Sequence, residues 1–320
     1  MKVGDLEIIQ ILDGEWSTPA APGIPYLDPE EAAVHSNYIL PDGKMMAQLG
    51  AFLVRTGNQV VLIDAGLGPS DHACGHGDCD HAEHQHAAPT LPPEEIEEFF
   101  RSKGAPEAQV AWFTEMLKVQ KLEHGWLADS LTRAGVRPDE ITDVVLSHLH
   151  PDHMGWVTRG GMPFFPKAKL WTHQADADFF LSDTAPDETT FKIMLGTDPT
   201  RDRMLPVHNQ LQLWDRDCTI APGIDLRHMP GHTPGSSIAV ISSGEERAMI
   251  LGDVIHCPLE LVDSEFAIMS DIDPAMAKRS KDILRQELEG TNVHVSSSHF
   301  PGLEFGRLLK GEGKRYWSWA

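Results

Sequence analysis

Cysteine is scarce: Cys74, Cys79, Cys218 and Cys257 are the only four in 320 residues. Four thiols are too few for a disulfide-stapled scaffold and point to a reduced, cytoplasmic protein. Long apolar runs are also missing. No stretch approaches the roughly 18 apolar residues a membrane-spanning helix needs. The first residues, MKVGDLEIIQIL, carry one lysine and then acidic residues inside the apolar run. They lack the basic start, continuous apolar stretch and small-residue cleavage site of a secretory signal, which again favours the cytoplasm. Basic residues are outnumbered, 26 Lys plus Arg against 48 Asp plus Glu, for a formal net charge of −22. A surface so negative repels phosphate backbones and anionic lipid, which excludes nucleic acid and membrane as partners. A small neutral or cationic substrate fits that charge.

With 41% hydrophobic and 23% charged residues, the chain can bury a sizeable core without covalent staples. Residues 6–12, 51–56 and 59–63 are rich in strand formers. Gly57-Asn58 joins the last two as a hairpin turn, closed at its far end by Asp64-Ala65-Gly66. From Pro69 to about Thr90 the composition turns to His, Asp, Ala and Gly, a loop signature. Helical patterns follow at about 93–103, 106–121 and 125–134. Residues 143–147 read as a short buried strand, and strand-like segments recur at 168–172, 219–228, 237–242, 247–251 and 292–297. A helix over 274–288 opens at Asp273-Pro274, a good N-cap followed by a residue suited to the first helical turn. Strands in both halves with helices between predict two sheets packed face to face under outer helices. We read residues 1–320 as one domain, with a His-rich loop and helical insertion at about 69–134.

Directly after the buried strand comes Ser147-His148-Leu149-His150-Pro151-Asp152-His153. Three imidazoles and a carboxylate in so short a span are costly to place at the end of an apolar strand unless something repays the desolvation. These are the groups a divalent metal such as zinc takes in hydrolytic sites. His148 and His150, two apart in extended chain, point to one side and can grip one ion. Asp152 and His153 lie where the chain, its backbone fixed by Pro151, can curl toward a second ion. His232 sits in the turn Pro230-Gly231-His232-Thr233-Pro234-Gly235, Asp253 follows the apolar run AMIL at Leu251-Gly252, and His299 follows the strand at 292–297. Singly, each would read as a structural histidine, a cap or a turn residue. They gain weight by falling at strand ends in a fixed order.

That order, His-x-His-x-Asp-His, then a His in a GHTPG turn, then Asp after Gly, then a late His, resembles the metallo-β-lactamase superfamily from about residue 6 to residue 305. The resemblance implies an α+β fold, an αββα sandwich of two mixed sheets with helices on both outer faces. It implies two divalent ions per chain, zinc first, with Mn²⁺, Fe²⁺ or Co²⁺ as alternatives. His148, His150 and His232 would hold one ion, Asp152, His153 and His299 the other, and Asp253 would bridge them. Asp64 would orient a ligand histidine without touching metal. Two such ions about 3.5–4 Å apart share a hydroxide formed near neutral pH, so no Ser or Cys nucleophile is needed.

Among the branches of the superfamily, the bridging Asp253 and the absent signal disfavour class B β-lactamases. The short stretch after His299 disfavours glyoxalase II, the charge disfavours the nucleases, and His150 disfavours the flavodiiron proteins. What remains resembles the group of N-acyl homoserine lactonases and methyl parathion hydrolase, often homodimeric. Gly252-Asp253-Val254-Ile255-His256 looks like that hydrolase's GD-x-x-His stretch, as does Ser298-His299-Phe300-Pro301-Gly302. The lactonases usually carry Tyr where this chain has His256, which makes His256 a candidate proton donor beside the expected catalytic carboxylates Asp152 and Asp253. The implied reaction is hydrolysis of an ester, lactone or phosphotriester of a small molecule. The alternative is a mononuclear iron oxidoreductase acting on sulfur compounds on the same fold. Met45, Met46, Trp156, Phe266 and Met269 are candidates to line an apolar pocket. The cluster His72, Cys74, His76, Asp78, Cys79, Asp80, His81, His84 and His86 reads either as a third metal site or as a surface loop that binds metal weakly.

Overall fold

Two mixed β-sheets stack face to face in the computed structural model, which describes residues 1–19, 44–69, 92–102, 104, 107–186, 193, 200–264, 266 and 270–320. The first sheet has eight strands: β1 (Lys2–Val3), β2 (Leu6–Pro19), β3 (Lys44–Thr56), β4 (Gln59–Ile63), β5 (Lys121–His124), β6 (Asp143–Val145), β9 (Lys169–His173) and β10 (Leu211–Trp214). Their order is β1-β2-β3-β4-β6-β9-β10, with β5 also paired to β2. The short strands β7 (Thr158–Arg159) and β8 (Met162–Pro163) form a separate hairpin. The second sheet runs in chain order through β11 (Cys218–Ala221), β12 (Ile224–His228), β13 (Ser237–Ser243), β14 (Glu246–Ile250), β15 (His294–Ser296), β16 (Gly306–Gly311) and β17 (Lys314–Trp319).

The two-residue period of a strand divides its side chains between two cores. Phe52 and Val54 of β3, with Val61 and Ile63 of β4, face the second sheet's Leu226, Ala239, Ile241, Ala248 and Ile250. The alternate residues Ala51, Leu53 and Leu62 face Leu127, Leu131 and Phe180 on the outer helices. On the second sheet Ile238, Val240 and Met249 turn the other way, onto Leu284 and Leu288 of the helix Pro274–Leu288. Sheets covered on both faces explain why the sequence shows near-continuous apolar runs rather than clean alternation. The layer order is therefore αββα, as the resemblance implied.

The pairing also sets where the loops emerge. β4, β6 and β9 are mutually parallel, and so are β14 and β15. The segments leaving β4, β6, β14 and β15 thus come off matched strand ends, carrying Asp64, His148–His153, Asp253 and His299. Among the described residues no helix is long and apolar enough to cross a membrane.

Two expectations need correction. The strand expected over 219–228 is the hairpin β11–β12, because Pro222-Gly223 turns the chain with Gly223 at φ 77°. Residues 121–124, expected within the helical insertion, form β5 on the first sheet, between the helices Glu107–Val119 and Leu127–Arg133. The hairpin β16–β17, which closes the second sheet, was not anticipated. By contrast the helix Pro274–Leu288 has the expected bounds, and Met276 N–H donates to its cap Asp273 Oδ1 at 2.9 Å.

Phe52 is fully buried between the sheets, edge-on to Phe305 with ring centroids 5.7 Å apart. Phe52→Ala should lower unfolding stability by about 3–5 kcal/mol in urea titrations. Tyr316→Ala, at a 44% exposed position, should stay within about 0.5 kcal/mol of the parent.

Candidate metal centre

Seven side chains from four loops converge at one edge of the sandwich. Just past β6 the chain bends at His148, and His150, in extended conformation, directly precedes the short helix Pro151–Met154 that carries Asp152 and His153. Pro151 occupies the first position of that helix, as its fixed φ suits. Between β12 and β13, Gly231 has φ 137°, and a Cβ there would lie 2.1 Å from Ala277 N. Only glycine lets this loop press on the last helix while presenting His232. Gly252 (φ 48°) likewise opens the short turn Gly252–Val254 that presents Asp253, with Ser147 Oγ 2.7 Å from where its Cβ would lie.

The side chains fall into two groups, each with ligand atoms mutually within 4.8 Å: His148, His150, His232 and Asp253, then Asp152, His153 and His299. Asp253 joins them. Its Oδ2 lies 3.4 Å from His232 Nε2 and 3.8 Å from His148 Nε2, whereas its Oδ1 lies 3.1 Å from His153 Nε2 and 3.2 Å from His299 Nε2. Asp152 Oδ2 is 3.5 Å from His299 Nε2. All seven residues are buried.

Their outward nitrogens are held by other groups. His153 Nδ1 donates to Asp64 Oδ2 at 2.9 Å, as expected for Asp64. His299 Nδ1 donates to the Gln48 carbonyl (2.8 Å), His232 Nδ1 to Asp271 Oδ1 (3.2 Å), and His148 Nδ1 to Ser147 Oγ (3.2 Å). These bonds fix the tautomers and turn each Nε2 lone pair inward. Inside, nitrogens face nitrogens: His150 Nδ1 and His232 Nε2 are 2.9 Å apart, and His153 Nε2 and His299 Nε2 are 3.3 Å apart. His148 Nε2 is buried with no hydrogen-bond partner. A buried orphan nitrogen and converging lone pairs around a carboxylate are unfavourable in a purely protein interior. They suit cations, and the residues present fit a pair of divalent ions.

The ionisation tendencies divide along the same line. Burial and the neighbouring imidazoles hold His148 and His150 well below the usual histidine range. Burial also works against charge on His153 and His299, but there Asp253 and Asp152 outweigh it and raise both. His256, the candidate proton donor, sits at Asp253 Oδ2 (3.2 Å) with Glu260 Oε2 3.2 Å from its other nitrogen. Burial opposes its charge, yet the two carboxylates push it up to about 10.

Of the candidates for the pocket, Trp156 is a core residue, and its Nε1–H donates to the buried Asp13 Oδ1 at 2.7 Å. Met45 and Phe266 pack with Cys257, Leu259 and Trp319, beside His256 in the chain. Met46 is half-buried in β3. Met269 and the cluster His72–His86 lie outside the described residues.

One contributor had no sequence signal. Asp176, wholly buried in the helix Gln174–Phe180, accepts Leu149 N–H (3.0 Å), the Thr233 hydroxyl (3.0 Å) and Gly235 N–H (2.5 Å). It ties the His148–His150 segment to the His232 loop. No local pattern marks it, because all three partners are distant in sequence.

With the geometry in place, the comparisons are decisive for the family. The metallo-β-lactamase superfamily model matches residues 51–291, and the chain belongs to that superfamily. An N-acyl homoserine lactonase of Bacillus thuringiensis is 22% identical over 169 residues, 52% of this chain and 60% of its own length. Another from a Bacillus species is 24% identical over 207 residues, 58% and 70%. The chain thus spans about 60% of the length of the first relatives. A dizinc quorum-quenching lactonase in complex with a product superposes with TM-score 0.71 at 22% identity, covering 99% of this chain and 95% of that one. A hydrolase of the β-lactamase superfamily superposes at 0.69 and 20%, covering 100% and 95%. At such identities the superpositions establish the fold.

Burial pushes the Asp176 carboxyl up to about 6 from 3.8, against the lowering pull of Thr233, Gly235 and Leu149. A carboxyl raised in the folded state contributes most below about pH 4, and the contribution is lost as pH rises through 6. The stability of the metal-free protein minus that of Asp176→Asn should therefore fall by about 3 kcal/mol between pH 4 and 7, measured by urea midpoints. A flat difference would show that Asp176 is not the strained group its burial implies.

Proposed function

We propose that this protein is a binuclear metal-dependent hydrolase that cleaves an ester, lactone or phosphotriester bond in a small molecule. The observation that carries the reading is the split of Asp253, one carboxylate oxygen toward each imidazole group. One ion would be held by His148, His150 and His232, the other by Asp152, His153 and His299, with Asp253 shared. When bound, such a pair supplies Lewis-acid polarisation of the scissile carbonyl or phosphoryl oxygen and a shared water that ionises near neutral pH.

The chain's own residues set the rest. Asp64 fixes the His153 ring, and it also accepts Ser147 N–H at 2.8 Å and the Ser298 hydroxyl at 2.7 Å, so two ligand loops, those after β6 and β15, share one anchor. His256 holds a proton beside Asp253 and stands where it can serve a departing group. Cys257 is no rival nucleophile, because burial and then Glu260 push its thiol up. The dizinc lactonase that shares the fold supports zinc as the metal and a lactone or related ester as the substrate class. The two ligand groups joined by one carboxylate favour this reading over a mononuclear iron oxidoreductase.

The purified chain should hold about two divalent ions and hydrolyse members of a panel of simple esters, lactones and a phosphotriester. Chelation should stop turnover, and zinc, manganese or cobalt should restore it. His150→Ala and Asp253→Ala should each lose activity to background and lower the metal content while staying folded by circular dichroism. Full activity in a metal-free preparation, or one iron with oxygen consumption, would overturn the reading.

A further inference from the structure

Behind the centre lies a charged circuit that no ligand motif requires. Lys281, on the last helix, has a side chain only 4% exposed, and its Nζ lies 2.6 Å from Glu260 Oε1 and 2.8 Å from Asp271 Oδ2. Glu260, wholly buried, accepts the backbone N–H of His256 at 2.5 Å and faces that ring's Nδ1, while the ring's Nε2 faces Asp253 Oδ2. Asp271 faces His232 Nδ1, and His232 Nε2 faces the same Asp253 Oδ2. Two arms leave one ammonium and end on one oxygen.

Such a circuit is expensive. Removing an ammonium and two carboxylates from water costs several kcal/mol per ion, and apolar residues of similar volume would pack the helix as well. Its connections are also one-sided. Both arms reach the His148–His150–His232 half of the centre. The other half rests on Asp64, the Gln48 carbonyl and Ser298, and none of the contacts described for Lys281 involves these groups. The backbone supports the placement: Ile272 N–H donates to the His232 carbonyl at 3.0 Å and Asp273 N–H to that of Gly231 at 2.9 Å, so the 271–273 segment is laced to the His232 loop.

We infer that Lys281 is a positioning residue for one half of the metal centre, holding His232 through Asp271 and the Asp253 Oδ2 oxygen through Glu260 and His256. This rests on the two-metal reading above. By fixing Asp271, Lys281 keeps the His232 Nδ1–H engaged and its Nε2 aimed inward. By fixing Glu260, it holds His256 against the shared carboxylate. A group that orients a ligand in this way is usually worth ten- to a hundredfold in metal affinity.

The test is a chelator titration of the zinc-loaded full chain, with released metal measured by elemental analysis, for the wild type, Lys281→Met and Asp271→Asn. Lys281→Met leaves two buried carboxylates without their counter-ion and can fail to fold. Asp271→Asn keeps an acceptor oxygen toward His232 and removes one of those charges, so it decides the matter if the first variant is lost. In each folded variant one ion should leave at a chelator concentration about ten- to a hundredfold lower than in the wild type, and the other at the wild-type concentration. Release of both ions as in the wild type would overturn the inference and leave the two-metal reading intact. Equal weakening of both would also overturn it, reducing Lys281 to a general structural role. A wild type that takes up no metal would overturn both.

Discussion

The structure depends on one buried carboxylate. Asp253 stands among five imidazoles, four of them from the expected ligand set and the fifth from His256. Its neighbours draw it well below the ordinary carboxylate range although burial pulls the other way. A charged carboxylate inside a protein is tolerable only with positive partners and donors on every side. Here each oxygen faces a different group of nitrogens, so one side chain imposes a common centre on loops from two sheets. Its oxygens lie 3.1–3.8 Å from imidazole nitrogens of both groups.

The sandwich makes that convergence affordable. Each sheet is buried on both faces, so its strands are apolar and rigid, and their polar cargo is pushed to the strand ends. The parallel neighbours β4 and β6, and β14 and β15, deliver those ends to the same edge. Asp64 then binds Ser147, His153 and Ser298, while Asp176 binds Leu149, Thr233 and Gly235. Each is a buried acceptor bonded to three residues distant from it in sequence. They fix the loops more firmly than backbone propensity could, since loops carry few internal hydrogen bonds of their own.

How much of this the sequence disclosed follows from the range of each signal. The ligands His148, His150, Asp152 and His153 sit within one short segment, and their density at a strand end is visible without a fold. His232, Asp253 and His299 are marked by glycine-containing turns after apolar runs, and Asp64 by the DAG turn. Helix bounds such as Pro274–Leu288 were legible because cap and proline are local. Strands were less so: residues 219–228 hid a hairpin, since apolar periodicity runs through a turn that only Pro222-Gly223 breaks. Trp156 next to the ligand motif was a candidate for the pocket or the core, and its partner Asp13, 143 positions away, places it in the core. Asp176, Glu260, Asp271 and Lys281 left no trace for the same reason. Each is an ordinary helix or loop residue until the fold supplies its partners.

The two halves of the centre are anchored by different chemistry, and the difference has a physical consequence. The His153–His299 half leans on one backbone acceptor, the Gln48 carbonyl, plus the single charge of Asp64, which also accepts the Ser298 hydroxyl. The half that contains His232 leans on a chain of alternating full charges, Asp271, Lys281, Glu260 and His256. Hydrogen bonds to neutral groups orient a ring but add little net field. A chain of charges holds its members by interactions that strengthen as water is excluded. Carboxylates raise His153 and His299, whereas burial, with neighbouring imidazoles, lowers His148, His150 and His232. Positive charge is therefore favoured on the first pair and disfavoured on the other three. The two halves thus differ in their support, a difference built in by which distant side chains the fold brings behind them.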